Sequence, residues 1–196
     1  MAKKFYAVKN GRQTGIFKTW EECRRQVTGF KGAAFKGFET LEEAEAFISG
    51  GAQDTNPREG AAVAYVDGSY DQRSKRFSYG MVLFLGGEAI TKNEAFSDPE
   101  LAQMRNVAGE IKGAEEAMLY CLENGIEKLD IYYDYAGIEC WCTGAWKTNK
   151  PGTIDYKAYY DFAKTKVDIR FIKVKGHSGD KYNDMADKLA KEALGL

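Results

Sequence analysis

The stretch that decides the fold reads AAVAYVDGSY at 61–70, FSYGMVLFL at 77–85 and EAITKNEA at 88–95. All three runs are bounded by polar or glycine-rich residues, and β-branched and aromatic side chains are frequent in them, which predicts three successive strands. Gly86 and Gly87 separate the last two runs and are typical of a two-residue hairpin turn. The region therefore begins with an antiparallel run of strands.

Helices and strands alternate after this run. Apolar residues at helical spacing predict a long helix from about Glu100 to Asn124, which Gly125 ends. The elements predicted next are a strand at 128–134, a helix at 136–143, a loop at 146–153, a helix at 156–166, a strand at 168–174 and a helix at 183–194. The order βββαβααβα predicts an α/β fold with a mixed five-stranded sheet flanked by helices.

A smaller α/β unit is predicted before this region. It contains short strands and two helices, for which Thr19 and Thr40 are the expected N-caps. Ser49 to Gly60, SGGAQDTNPREG, has no apolar periodicity and is typical of a flexible linker. The sequence thus predicts a small domain at 1–48, a linker at 49–60 and a larger domain at 61–196.

The composition indicates a folded protein, because 44% of the residues are hydrophobic. Residues 1–48 carry nine basic and six acidic side chains, whereas the rest carry 19 and 23, so a net charge of +3 precedes one of −4. This asymmetry favours a polyanion-binding unit attached to a carboxylate-rich one. Four cysteines without a CxxC pair, and a single histidine, argue against a zinc site.

The chain contains no apolar segment of the length that a bilayer span or a signal peptide requires. We therefore expect a cytoplasmic protein without membrane contact, and we expect it to be a monomer.

Two acidic residues follow apolar strand residues. Asp67 lies near the end of the first long strand, and Asp134 ends the fourth. If these strands are parallel neighbours, both carboxylates lie at the same sheet edge, where ligands bind in open α/β sheets. Two carboxylates there repel each other unless a cation neutralises them, and hard oxygen ligands favour Mg²⁺ or Mn²⁺.

Two more acidic residues interrupt apolar helix faces. Glu110 lies within the apolar stretch of the long helix, and Asp187 lies in the last helix with Asp184 as its local competitor. Asp184 is also suited to the first turn of its helix, where a negative charge is favourable. For any one of these residues a turn-forming or solvated side chain is the usual explanation, so the hypothesis depends on their convergence.

Four motifs resemble a known family. They are similar, in order and spacing across 61–196, to the signature motifs of type 1 ribonuclease H. The motifs are Tyr65-Val66-Asp67-Gly68-Ser69, Asn106-Val107-Ala108-Gly109-Glu110, Ile131-Tyr132-Tyr133-Asp134 and the block Lys175–Ala190, with His177, Asn183 and Asp187. Near the N-terminus, Phe5-Tyr6-Ala7-Val8, Thr19-Trp20 and Phe35-Lys36 resemble the hybrid-binding domain that is often fused to such enzymes.

The resemblance implies an endonuclease that hydrolyses the RNA strand of RNA–DNA hybrids and leaves 5′-phosphate and 3′-hydroxyl ends. It implies that Asp67, Glu110, Asp134 and Asp187 bind two Mg²⁺ ions, which Mn²⁺ can replace, and that the fold is ribonuclease H-like. Substituting Asp134 separates this hypothesis from an inactive hybrid-binding adaptor, and cleavage of another duplex would indicate a related metal-dependent nuclease.

Further roles are implied by the same resemblance. His177 assists proton handling or product release, Asn106 reads a 2′-hydroxyl of the RNA, and Asn183 lies beside the site. Arg105 is a candidate contact to a phosphate of the DNA strand. The family often has Gln where this chain has Val107, which puts that additional contact in doubt.

In the small domain, the resemblance implies that Trp20 and Lys36 contact the DNA strand, with Phe35 and Tyr6 beside them. Aromatic faces pack on nucleotides while lysine neutralises phosphate. From the residues alone, Phe35 and Tyr6 are more typical of a core. Ala34 and Gly37 replace residues that are frequently basic in the family, so we expect reduced affinity.

Overall fold

A computed structural model describes residues 5–49, 56–174 and 180–196. The chain forms two compact units, Met1–Thr55 and Asn56–Leu196. Within the described residues, no helix has the length and apolar character needed to cross a bilayer. All four cysteines are free thiols, and three of them are buried.

The first unit is a three-stranded antiparallel sheet with two helices. Its elements are β1 (Phe5–Asn10), β2 (Gly15–Phe17), α1 (Trp20–Val27), β3 (Ala34–Phe38) and α2 (Leu41–Ser49), and the strand order is β2-β1-β3. Val8, Cys23 and Val27 form its buried centre. The predicted caps are confirmed, because the hydroxyls of Thr19 and Thr40 each accept a backbone N–H three residues later, at 3.3 Å.

The second unit contains a five-stranded mixed sheet in the order β6-β5-β4-β7-β8. Its strands and helices are β4 (Ala62–Asp71), β5 (Arg76–Leu85), β6 (Glu88–Phe96), α3 (Asn106–Glu123), β7 (Lys128–Tyr133), α4 (Gly137–Cys142), α5 (Pro151–Ala163), β8 (Asp168–Lys173) and α6 (Lys181–Leu194). Strand β7 pairs in parallel with β4 and β8, whereas the pairs β4–β5 and β5–β6 are antiparallel. The predicted fold class and element order are confirmed.

The two faces of the sheet bury different helices. Ala64 and Val66 point to the larger core, which includes Ile111 of α3, whereas Val63 and Tyr65 point to the core that contains Ala186 of α6. Side chains alternate between faces along a strand. Helices α3 and α6 therefore enclose β4 from opposite sides.

The long helix predicted from Glu100 is interrupted. A 3₁₀ turn covers Leu101–Met104, Arg105 adopts a φ of 56°, and α3 begins only at Asn106. Asp98 accepts the backbone N–H groups of Glu100 and Leu101 and so stabilises the separate first turn. A left-handed residue cannot continue a right-handed helix, which explains the break.

Three further helix boundaries differ from the prediction. Helix α5 begins at Pro151, within the predicted loop, because proline fits a first helical turn whose N–H groups need no partner. It ends at Ala163 and not at Lys166. Helix α6 begins at Lys181, since Asp180 accepts the N–H groups of the next residues and acts as its N-cap.

The predicted linker, 49–60, overlaps both units, and its residues 50–55 lie outside the described residues. Ser49 ends α2, and the second unit starts at Asn56, five residues before Ala61. Arg58 explains the early start, because its Nε and backbone N–H donate to the fully buried carboxylate of Asp130, at 2.7 and 2.9 Å. Arg170 donates to the same carboxylate, and Arg58 also bonds Asp168.

Candidate active site

Asp67 and Asp134 meet at one edge of the sheet, as the sequence predicted. Strand β4 pairs in parallel with β7 in a register that places Tyr65 beside Tyr132, so the next two residues along each strand reach the same level. Together with Glu110 they form a group in which one carboxylate oxygen from each residue lies within 4.8 Å of the others.

Glycines bring α3 close enough for Glu110 to join this group. A Cβ on Gly109 would lie 1.8 Å from the carbonyl oxygen of Ser78, and a Cβ on Gly68 would lie 2.1 Å from that of Asn106. Helix and strand backbones are thus in direct contact, which only glycine permits. The two glycines flank the acidic residues in sequence, Asp67-Gly68 and Gly109-Glu110.

Glu110 is 3% exposed, and its surroundings favour the protonated acid when no cation is present. Burial raises its pKa to about 9, and the negative charges of Asp134 and Asp67 add to the increase. The amide of Asn106 donates to Oε1 at 3.1 Å, whereas Oε2 has no hydrogen-bond partner among the described residues.

This arrangement fits a divalent cation. Carboxylate oxygens are the ligands that Mg²⁺ and Mn²⁺ prefer, and a cation among them would satisfy Glu110 Oε2 and remove the repulsion between the charges. Asp67 has one oxygen held by the N–H of Gly68 at 2.7 Å, which fixes its orientation.

Asp187 lies on the same cavity but outside the group of three. The cavity is about 300 Å³ and is lined by Asp67, Gly68, Asn106, Glu110, Asp134, Tyr135 and Asp187. Helix α6 can approach this cavity because Gly80 of β5 has no side chain. A Cβ on Gly80 would lie 2.0 Å from the carbonyl oxygen of Ala186. The hydroxyl of Ser78 donates to the carbonyl of Ala190 at 2.5 Å and holds the helix there. The competing Asp184 is exposed and is not among the lining residues.

The other residues predicted for the site differ in burial and in whether they line the cavity. Asn106 lines the cavity, and Arg105 beside it is exposed. Asn183 is buried, and its Oδ1 has no partner among the described residues, so its contact with nucleic acid stays a prediction. His177 lies outside the described residues.

A second cavity, of about 400 Å³, lies beside the first and shares Tyr135 with it. Its lining includes Trp141, Trp146, Lys147 and Lys150, which the sequence analysis did not assign. Trp141 is buried and packs edge-to-face against Trp146, which is exposed. The signal in the sequence was the density of aromatic and basic residues directly after Asp134.

In the first unit, three of the predicted contact residues form a continuous surface. The ring of Trp20 lies 5.8 Å from that of Tyr6 and 5.7 Å from that of Phe35. Trp20 and Phe35 are both 41% exposed, so Phe35 is not a core residue. We call these three aromatic side chains the aromatic surface. Lys36 is also exposed, but it follows Phe35 in β3 and its Nζ lies 5.5 Å from the ring of Phe38, on the other face of the sheet, so its contact with nucleic acid stays a prediction.

The fold and the carboxylate group define a ribonuclease H-like α/β protein. Comparison with protein families agrees, since residues 59–195 match the RNase H family model and residues 4–48 match that of the ribonuclease H1 N-terminal domain. The chain belongs to the ribonuclease H family.

Relatives cover almost the whole chain. Ribonuclease H1 of Homo sapiens is 28% identical in an alignment that covers 96% of this chain and 88% of the relative. Ribonuclease H of Clostridium botulinum is 29% identical in an alignment that covers 67% of this chain and 94% of the relative.

Solved structures share the fold of the second unit. RNase H1 from Halobacterium salinarum NRC-1 superposes with a TM-score of 0.58 at 24% identity, over 69% of this chain and 98% of that one. LC11-RNase H1, solved in complex with an RNA/DNA hybrid, gives a TM-score of 0.54 at 13% identity over 68% and 99%.

Proposed function

We propose that the protein is an endonuclease that hydrolyses the RNA strand of RNA–DNA hybrids and leaves 5′-phosphate and 3′-hydroxyl ends. The observation that carries this proposal is the group of three carboxylates at the edge of a ribonuclease H sheet. It includes Glu110, a buried acid with one oxygen that has no hydrogen-bond partner in the described part of the chain. The relatives named ribonuclease H1, and the hybrid-bound LC11 enzyme, support the substrate class.

Asp67, Glu110, Asp134 and Asp187 would hold two Mg²⁺ ions, with Mn²⁺ able to replace them. Bound there, the ions would supply an activated water and neutralise charge on the scissile phosphate and the leaving oxygen. The chain must release the proton of Glu110 for this, because the pKa of that carboxyl is about 9 without a cation.

Asn106 connects the carboxylates with the substrate. Its amide donates to Glu110, and it also lines the open cavity. It can therefore orient Glu110 and present a polar group to a 2′-hydroxyl, the group by which RNA differs from DNA. Histidine is the side chain best suited to proton transfer near neutral pH, so His177 is a candidate for that role at the leaving group.

Two surfaces would bind the hybrid away from the cut. The cavity with Trp146, Lys147 and Lys150 is suited to a phosphate-bearing strand next to the carboxylates. In the first unit, the aromatic surface is suited to stacking against nucleotides. Lys36, which is exposed, is suited to neutralising a phosphate.

A strand-labelled assay tests the proposal. With Mg²⁺ the protein is expected to cut only the RNA strand of a hybrid, and neither duplex DNA nor duplex RNA. Asp134→Asn should abolish cleavage and leave hybrid binding largely intact, whereas Asp155→Asn, the same change at an exposed position of α5, should cleave normally. Normal cleavage by Asp134→Asn, or equal cleavage of duplex RNA, would overturn the proposal.

The cytoplasmic location and the monomeric state remain proposals from the sequence. Light scattering on the purified protein checks the second, with the mass of one 21.9 kDa chain as the expected result.

A further inference from the structure

A basic side chain is bound to the fourth carboxylate. Lys191 lies one turn after Asp187 on α6, and its Nζ donates to Asp187 Oδ2 at 2.6 Å. Asp187 is the cavity-lining acid that lies outside the close group of three.

This ion pair is weak and can open. The side chain of Lys191 is 48% exposed, and that of Asp187 is 26% exposed. Exposed pairs at this helical spacing contribute only a few tenths of a kcal/mol, because water screens them and the long side chain loses freedom. A cation that needs Asp187 Oδ2 can therefore displace the ammonium group at small cost.

The positive charge of Lys191 affects cation binding more than its hydrogen bond to Asp187 does. An ammonium group next to a carboxylate of the cavity repels any divalent ion that enters, and this repulsion persists after the ion pair has opened. Burial around Glu110 excludes water from part of the site, which reduces screening. Removing the positive charge should therefore strengthen cation binding more than losing the alignment of Asp187 weakens it.

We propose that Lys191 is a positioning residue that competes with the divalent cation for Asp187. Without metal, it neutralises the fourth carboxylate and holds it apart from the other three. With metal, it yields Asp187 and limits the affinity of the site. This inference rests on the proposed function, since it assumes that the carboxylates bind the cation.

The test measures Mn²⁺ binding to the full chain without nucleic acid, by electron paramagnetic resonance of the free ion. We expect Lys191→Gln to lower the dissociation constant about three- to tenfold relative to the unsubstituted protein. Lys191→Arg keeps the positive charge, so its dissociation constant for Mn²⁺ should lie within about twofold of that of the unsubstituted protein. In an Asp187→Asn background, the effect of Lys191→Gln should fall below about twofold, since the group for which the ions compete has lost its charge.

Lys188 supplies a matched control on the same helix. It is 76% exposed and pairs with Glu192 at 3.6 Å, so Lys188→Gln removes the same charge away from the cavity. That variant should bind Mn²⁺ as the unsubstituted protein does. Equal affinities for Lys191→Gln and Lys188→Gln would overturn the inference, and so would weaker binding by Lys191→Gln.

The two proposals fail in different ways. If the unsubstituted protein binds Mn²⁺ and cuts hybrid while Lys191→Gln binds no more tightly, only the role of Lys191 is removed. If the unsubstituted protein neither binds Mn²⁺ nor cuts hybrid, the proposed function itself is wrong.

Discussion

Gly109→Ala should damage cleavage more than its single methyl group suggests. The added Cβ would lie 1.8 Å from the carbonyl oxygen and 2.8 Å from the carbonyl carbon of Ser78, both backbone atoms that cannot rotate away. Restoring a tolerable contact of 3.0 Å requires α3 to move from β5 by about 1.2 Å. Glu110, the next residue, would move with the helix.

The expected sizes follow from this displacement. Overpacking costs about 1–3 kcal/mol, and exchanging glycine for alanine in a helix returns about 1 kcal/mol, so we expect the free energy of unfolding to fall by about 0–2 kcal/mol. A misplacement of about 1 Å at a reacting centre can reduce the rate on the order of 100-fold. Activity should therefore fall much further than stability.

Gly113→Ala is the matched control. It is the same substitution one turn later on α3, where the added Cβ would lie 3.2 Å from Cβ of Val66 and meets side chains only. Urea unfolding and single-turnover cleavage at saturating Mg²⁺ measure both variants. We expect the free energy of unfolding of Gly113→Ala to stay within about 1 kcal/mol of that of the unsubstituted protein, and this variant should cleave normally. Cleavage by Gly109→Ala at the unsubstituted rate would refute the argument that glycine contact positions Glu110.

Three more predictions concern charge and the aromatic surface. In EDTA, the free energy of unfolding should fall as pH rises from 4.5 toward about 9, because the folded state keeps the proton of Glu110 that the unfolded state has lost. Thermal unfolding measures this pH dependence, and it should be weaker in Glu110→Gln. Arg58→Met removes one of two arginine partners of buried Asp130 and should cost about 2 kcal/mol in urea unfolding. Trp20→Ala should weaken hybrid binding about tenfold, as measured by fluorescence anisotropy, and leave the cleavage rate at saturating hybrid unchanged. Leu41→Ala, a substitution at a similarly exposed apolar residue, should leave hybrid binding unchanged.

Each of these has a clear contrary result. A pH slope that persists in Glu110→Gln would assign the proton to another group. Unchanged unfolding of Arg58→Met would mean that the remaining arginine suffices. Equal hybrid affinity for Trp20→Ala and Leu41→Ala would remove the aromatic surface as a binding site.

The positions of Asp67 and Asp134 could be predicted because they depend on order alone. A strand, a crossover and a parallel neighbour place two strand ends side by side, and the apolar residues before each carboxylate mark those ends. The fold class follows from the same pattern. The two N-caps of the first unit were predictable for a similar reason, since threonine and a glutamate three residues later are a local signal.

Other features depend on contacts that no local pattern shows. The break before α3 arises from the positive φ of Arg105, a conformation for which arginine has no preference. Arg58 appeared to be part of a linker, because its partner Asp130 is 72 residues away. The burial of Glu110 depends on close contacts between backbones at glycines. The position of the Lys191–Asp187 pair at the cavity depends on which face of α6 is turned toward it.

Anomalous diffraction from crystals soaked in Mn²⁺ tests most directly whether the acidic edge of the sheet is a metal centre. We predict strong anomalous peaks within about 2.0–2.6 Å of oxygens from Asp67, Glu110 and Asp134, lost in crystals of Asp134→Asn. Fully ordered carboxylates without a peak between them, in crystals of protein that still cuts hybrid, would contradict the account.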